Sequence, residues 1–193
     1  MKKILIKLLF FFLVCFPVNS EIKILPIIEG NIDAKIKLII FESLTCGHCA
    51  DFHKDVYPEL KENYIDTGLA SIEFKSFPLD IAALNASKVA HCKNDGKSEI
   101  LHFLFDNQSK WAKGNSVEEF NDNLEKILNS QNFGIDFNKC IDNKKIEDYV
   151  LENRIEGVKK FKINATPTII INGEKFNKPL TFKNLKKFLE KLI

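Results

Sequence analysis

Two cysteines three residues apart, Cys46 and Cys49, stand where an apolar run ends and a helically spaced one begins, and that junction constrains the fold more than any other feature of the chain. Ile36 to Phe41 reads as a short strand buried on both faces. Glu42 to Thr45 make the turn, after which Cys49, Phe52, His53, Val56 and Leu60 recur at helical intervals. Leu69 to Phe77, ended by Pro78, has the length and composition of a second strand. Strand, helix and strand in that order make a right-handed β-α-β unit on a parallel sheet.

Cysteines at this spacing at a helix start lie on one face, close enough to close a disulfide with little backbone movement. The first sits where unpaired N–H groups and the helix dipole favour negative charge. Cys46 is therefore the expected nucleophile with a lowered pKa, and Cys49, one turn deeper, the resolving thiol. A protonated His48 would further stabilise the Cys46 thiolate, a solvated side chain without redox effect being the alternative. Half of a zinc site is an alternative, needing two more ligands from Cys92, Cys140, His91 or His102. No second Cys-x-x-Cys or His-x-x-x-His exists, so no common zinc module fits, and we expect no metal. A purely structural disulfide is the other alternative, but so tight a loop would stabilise little by chain entropy. His53 and His102 read as packing or surface residues.

The first twenty residues have a basic start (Lys2, Lys3, Lys7), an apolar run from Leu8 to Phe16, and small residues up to Ser20. That is the order of a secretory signal peptide cleaved after Ser20. The run falls short of the roughly 20 residues of a membrane span, though a retained anchor from Ile4 is the alternative. Cys15 reads as apolar filler, because Val14 is larger than the residue usual before a lipidated cysteine. The leader holds three lysines and no acid, so the net charge of +2 becomes −1 without it. No basic or acidic tract then points to nucleic acid. The other four cysteines would meet an oxidising compartment.

From Asp80 to about Arg154 the spacing is helical, with Phe103, Leu104, Phe120, Leu124, Ile127 and Leu128 on it and Gly96, Gly114 and Gly134 as turns. Trp111, Phe103, Phe105 and Phe120 are core by default. A helix begins around Ile146 and runs to Phe161. Ile169 to Ile171, Asn172-Gly173 and Glu174 to Phe176 read as a type I′ hairpin. A last helix follows Thr181, its expected N-cap, with Leu185, Phe188, Leu189 and Leu192 on one face.

Strand, Cys-Gly-His-Cys, helix, strand, helical block, Thr166-Pro167, hairpin and terminal helix together resemble the DsbA branch of the thioredoxin superfamily. The resemblance implies an α/β fold in which a thioredoxin domain (residues 21–80 and 155–193) is interrupted by a helical insertion (81–154), after a signal peptide (1–20). It also implies a monomeric, periplasmic disulfide oxidase with no cofactor beyond the Cys46–Cys49 disulfide, acting on unfolded or reduced exported proteins. A DsbB-type quinone-linked membrane partner would reoxidise it. In this family the proline before the hairpin is cis and its preceding residue binds extended peptide, roles that fall on Pro167 and Thr166. From the residues alone Pro167 reads as trans, since only about one X–Pro bond in twenty is cis. The resemblance further implies a structural disulfide between Cys92 and Cys140, two buried thiols being the alternative. One departure stands out. The superfamily often places a buried acid six residues before the nucleophile, and this chain has Ile40 there, with Glu42 two residues further along the same side of the strand. The proton acceptor for Cys49 is thus unassigned. Gly-His is also the dipeptide of protein disulfide isomerase, so isomerase or reductase is a second reading, and a non-catalytic peptide-binding protein a third.

Overall fold

The computed structural model describes residues 23–193; the signal-peptide reading of residues 1–20, with Cys15, lies outside the described residues. Five strands form one mixed sheet in the order β1-β3-β2-β4-β5. Strand β2 (Ile36–Glu42) and β3 (Ala70–Ser76) are the parallel centre. β1 (Ile27–Gly30) joins β3 antiparallel, β4 (Thr168–Ile171) joins β2 antiparallel, and β5 (Glu174–Lys175) pairs with β4. The two faces of β2 bury different residues. Ile36, Leu38 and Ile40 enter the main core with Phe52 and Leu60, while Phe41 packs with Phe77, Ile163 and Ile170 on the other side. Each such fully buried aliphatic side chain contributes roughly 1.5–3 kcal/mol of transfer free energy.

β1 has no signature in the sequence: four residues after Pro26 are too few to show a period. Its end is set by Gly30, at φ +83°, where a Cβ would lie 2.5 Å from the carbonyl oxygen of Ala70. The helical run after Cys46 is also broken where the spacing predicts continuity. α1 (Gly47–Asp55) ends at Val56, and α2 (Tyr57–Leu60) begins at the next residue. Pro58 is the reason, since its nitrogen cannot donate to the carbonyl four residues back and its ring crowds that turn. A π-helical turn, Lys61–Ile65, then leads to β3.

Between β3 and β4 come α3 (Ile81–Ala90), α4 (Glu99–Asp106), α5 (Gln108–Trp111), α6 (Val117–Leu128), α7 (Phe137–Ile141) and α8 (Lys144–Phe161). α8 is continuous across residues 154 and 155, so one rigid rod connects the helical block to the sheet. Trp111 is fully buried and donates its Nε1–H to the Leu104 carbonyl at 2.8 Å; Phe105 is buried with it, whereas Phe103 and Phe120 are only half-buried. Cys92 and Cys140 are bonded to each other, their Cα atoms 5.4 Å apart, joining the end of α3 to α7. The hairpin turn has positive φ at both Asn172 (48°) and Gly173 (89°), as a type I′ turn requires. α9 (Phe182–Leu189) is capped by Thr181, whose Oγ1 accepts from the Asn184 N–H at 3.3 Å. Among the described residues no helix is long and apolar enough to cross a membrane.

Candidate active site

Cys46 is the N-cap of α1, with extended backbone (φ −80°, ψ 119°) and no capping oxygen. Its sulfur occupies the place where a Ser or Asp oxygen would receive the free N–H groups of the first turn. Cys49 is fully buried one turn on, and the two sulfurs are not bonded to each other. The environment separates them. The Cys49 thiol donates a hydrogen bond to the Cys46 sulfur and brings its pKa down from 9.0 to about 5, against the opposing effect of burial, with help from Thr166 and from the backbone N–H groups of Cys49 and His48. Burial pushes Cys49 up, as do its bond to Cys46 and the negative charge of Glu42. One cysteine is thus held as a thiolate at neutral pH and the other as a thiol.

The backbone N–H of His48 is one of the donors to the Cys46 sulfur. Its ring is 88 % exposed, with Nδ1 3.5 Å from the Asp51 carboxylate.

Thr166 lies 120 residues from Cys46 in sequence and against it in space, delivered by the loop before β4. The Thr166–Pro167 bond is cis, as the family resemblance implies and against the base rate for X–Pro bonds. The Thr166 carbonyl accepts from the Cys46 thiol at 3.4 Å, and its hydroxyl, buried with no other partner, is free to donate to the thiolate. Thr166→Val removes that donor at nearly constant volume. We expect the Cys46 pKa to rise by about one unit, the scale of one hydrogen bond to a charged group, with iodoacetamide alkylation against pH as the measurement; an unmoved curve would leave Thr166 without an electrostatic role.

The turn before Cys46 is clamped to the helical block. Gln108 donates through Nε2 to the carbonyls of Leu44 (2.9 Å) and Cys46 (3.0 Å), and the Thr45 hydroxyl donates to Asp80 at 2.7 Å. Asp80 also caps α3, accepting from the Ala83 N–H. Neither clamp has a sequence signature, because both span more than thirty residues. Beside the cysteines runs a groove of about 900 Å³ between α1 and α9, lined by Phe52, Val56, Pro167, Leu180 and Phe182, with Lys186 at its rim.

His53 and His102 pack against Phe105 and Tyr57, and they also hydrogen-bond in series. His53 is buried, but its ring is bonded at both nitrogens, to Glu42 (2.8 Å) and to His102 (3.2 Å). The spacing offered a signal, since His53 follows Cys49 by four residues and shares its helix face. Glu42 and Glu29 complete the set from β2 and β1. Among the described residues no cluster of His, Cys, Asp or Glu could hold a metal ion.

A mixed sheet with a parallel β-α-β centre, a dithiol at the first turn of its helix and a cis-proline facing that dithiol define a thioredoxin-fold protein with a helical insertion. The family model described as Thioredoxin matches residues 24–191, and the chain belongs to that family, in its DsbA-like branch. It is 29 % identical to the alpha-DsbA1 of Wolbachia pipientis, whose crystal structure superposes with a TM-score of 0.74 over 86 % of this chain and 90 % of that one. It is 31 % identical over 163 residues to a putative protein-disulfide oxidoreductase of Rickettsia bellii, covering 82 % of this chain and 61 % of that protein. A probable disulfide bond formation protein D of Bacillus anthracis is 28 % identical over 84 % of this chain and 76 % of its own length. The chain spans between half and two thirds of the length of the rickettsial relatives it matches.

Proposed function

We propose that this chain is an exported, periplasmic thiol-disulfide oxidoreductase that introduces disulfides into exported proteins through Cys46 and Cys49. The observation that carries the reading is the inequality of the two thiols. A substrate thiolate attacks Cys46 in the oxidised protein, a mixed disulfide forms as Cys49 leaves, and the substrate's second thiolate then displaces Cys46. A low Cys46 pKa favours that last step, because thiols of lower pKa leave faster. It also stabilises the reduced form: the contribution is complete above about pH 9, and is lost as pH falls through about 5. The oxidised form is correspondingly the stronger oxidant.

The groove beside Pro167 suits an extended, partly apolar segment of a substrate, with the backbone of Thr166 at its edge. A DsbB-type quinone-linked partner would take the electrons, and the protein would act as a monomer without nucleic acid or cofactor. Isomerase or reductase is the second reading, favoured only by the Gly-His dipeptide.

Equilibration of the cysteine pair with a glutathione buffer separates these. We expect a potential nearer the roughly −120 mV of DsbA than the roughly −180 mV of protein disulfide isomerase. A value near −270 mV, that of thioredoxin, would overturn the oxidase reading.

A further inference from the structure

Cys49 must gain a proton each time it leaves the disulfide and lose it each time it re-forms the bond, yet it is fully buried and has no acid at the Ile40 position. Four ionisable side chains from four elements lie in one unbroken line beside it. Glu42 Oε2 meets His53 Nε2 at 2.8 Å, His53 Nδ1 meets His102 Nδ1 at 3.2 Å, and His102 Nε2 meets Glu29 Oε1 at 2.7 Å. The inner end is dry, Glu42 and His53 being 2 % and 3 % exposed, while His102 at the outer end is 23 % exposed. Phe105 stacks on His53 with ring centroids 4.0 Å apart, and Tyr57 on His102 at 4.6 Å. These rings wall the line off from water at the side.

Counting protons shows what such a line can do. Three contacts between acceptor-capable atoms need three protons, one in each. Two carboxylates and two neutral imidazoles bring only two. The complete line therefore holds one additional proton, and that proton can be placed on Glu42, His53 or His102 by moving each bridging proton across its own hydrogen bond, with no side chain turning. At the outer end burial would raise Glu29, but hydrogen bonds from His102, Ser98 and Tyr57 bring it down to about 2. Glu29 thus stays a carboxylate and orients the His102 Nε2 proton. At the inner end Glu42 Oε1 is buried with no partner. Glu42 shares the strand face of Ile40, which packs in the same core as Cys49.

We propose that Glu42, His53, His102 and Glu29 form a proton relay that serves Cys49, with the unpartnered oxygen of Glu42 as its inner terminus. The proposal rests on the oxidoreductase reading and supplies the proton path that reading lacks. When a substrate thiolate bonds to Cys46 Sγ, the Cys46–Cys49 bond breaks and its electron pair goes to Cys49 Sγ, which takes the proton from Glu42. Glu42 receives its proton from His53 Nε2 at Oε2 and turns its carboxyl to present it from the unpartnered oxygen; His53 Nδ1 takes the next proton from His102, whose part-exposed ring turns to regain one from water at the rim. In reoxidation the same protons move outward, freeing the Cys49 thiolate to attack a mixed disulfide at Cys46.

The test isolates the Cys49 step. Reduced full-length protein is mixed with glutathione disulfide, and release of the second glutathione, in which Cys49 attacks the Cys46–glutathione bond, is followed from pH 4 to 10. The groups facing the line are Cys46 and Cys49 from the start of α1, Tyr57 from α2 and Ser98 at the head of α4, so the Cys46 titration is recorded separately in a Cys49→Ala background. For Glu42→Gln we expect release at pH 7 to fall about a hundredfold and to rise tenfold with each pH unit, as direct ionisation of Cys49 by hydroxide demands. For His102→Gln we expect the pH profile to shift while the Cys46 titration stays in place. Glu42→Asp should restore part of the rate. A folded Glu42→Gln protein with the wild-type profile overturns the relay. Where Glu42→Gln fails to fold, an unmoved profile in His102→Gln does so. Wild-type protein inert to glutathione disulfide would instead remove the oxidoreductase reading itself.

Discussion

Cys46→Ala should abolish thiol-disulfide exchange, whereas Cys49→Ala should accumulate mixed disulfides between Cys46 and its substrates. The asymmetry follows from solvation. Cys46 is half-exposed at a helix N-terminus with donors around its sulfur, and Cys49 is sealed under it. A substrate thiolate can reach only Cys46, so without that sulfur no first bond forms. With Cys46 present and Cys49 replaced, the first bond forms and no internal thiol can break it. Non-reducing electrophoresis of each variant after incubation with a reduced, unfolded substrate reads both outcomes. Equal trapping by the two variants would sink the assignment of nucleophile and resolving thiol. The same experiment tests a non-catalytic binding role, for which Cys46→Ala would leave function intact.

The second large effect concerns stability. Cys92 and Cys140 close a loop of 48 residues in the helical block, and Cys140 is fully buried. In the chain-entropy model a loop of that length restricts the unfolded chain by roughly 4 kcal/mol. That is a large share of the roughly 5–15 kcal/mol that holds a domain folded. The Cys92→Ala/Cys140→Ala protein is therefore expected to unfold at markedly lower denaturant, with the Cys46 alkylation curve unchanged. A loss below about 1 kcal/mol would mean that the unfolded chain is already compact across this loop.

Reading the chain by local rules goes far where structure is locally encoded. The apolar run Ile36 to Phe41 became the centre of the sheet, Asn172-Gly173 the hairpin turn and Thr181 the helix cap, because burial pattern, positive φ and a hydroxyl at a helix start act within a few residues of themselves. Local rules fail where one residue vetoes a period, as Pro58 does between α1 and α2, or where an element is too short to have one, as with β1.

By itself, the sequence determined that a dithiol stands at a helix start after a buried strand, and that its first member is the better thiolate, since spacing and the helix terminus are properties of neighbouring residues. Only the tertiary structure decided what surrounds that dithiol. Thr166 arrives from the far side of the helical block, Gln108 from within it, and the line of Glu42, His53, His102 and Glu29 draws one residue from each of four elements. Solvation, hydrogen bonding and proton access depend on distance in space, and four residues scattered over more than seventy positions have no periodicity from which to read it.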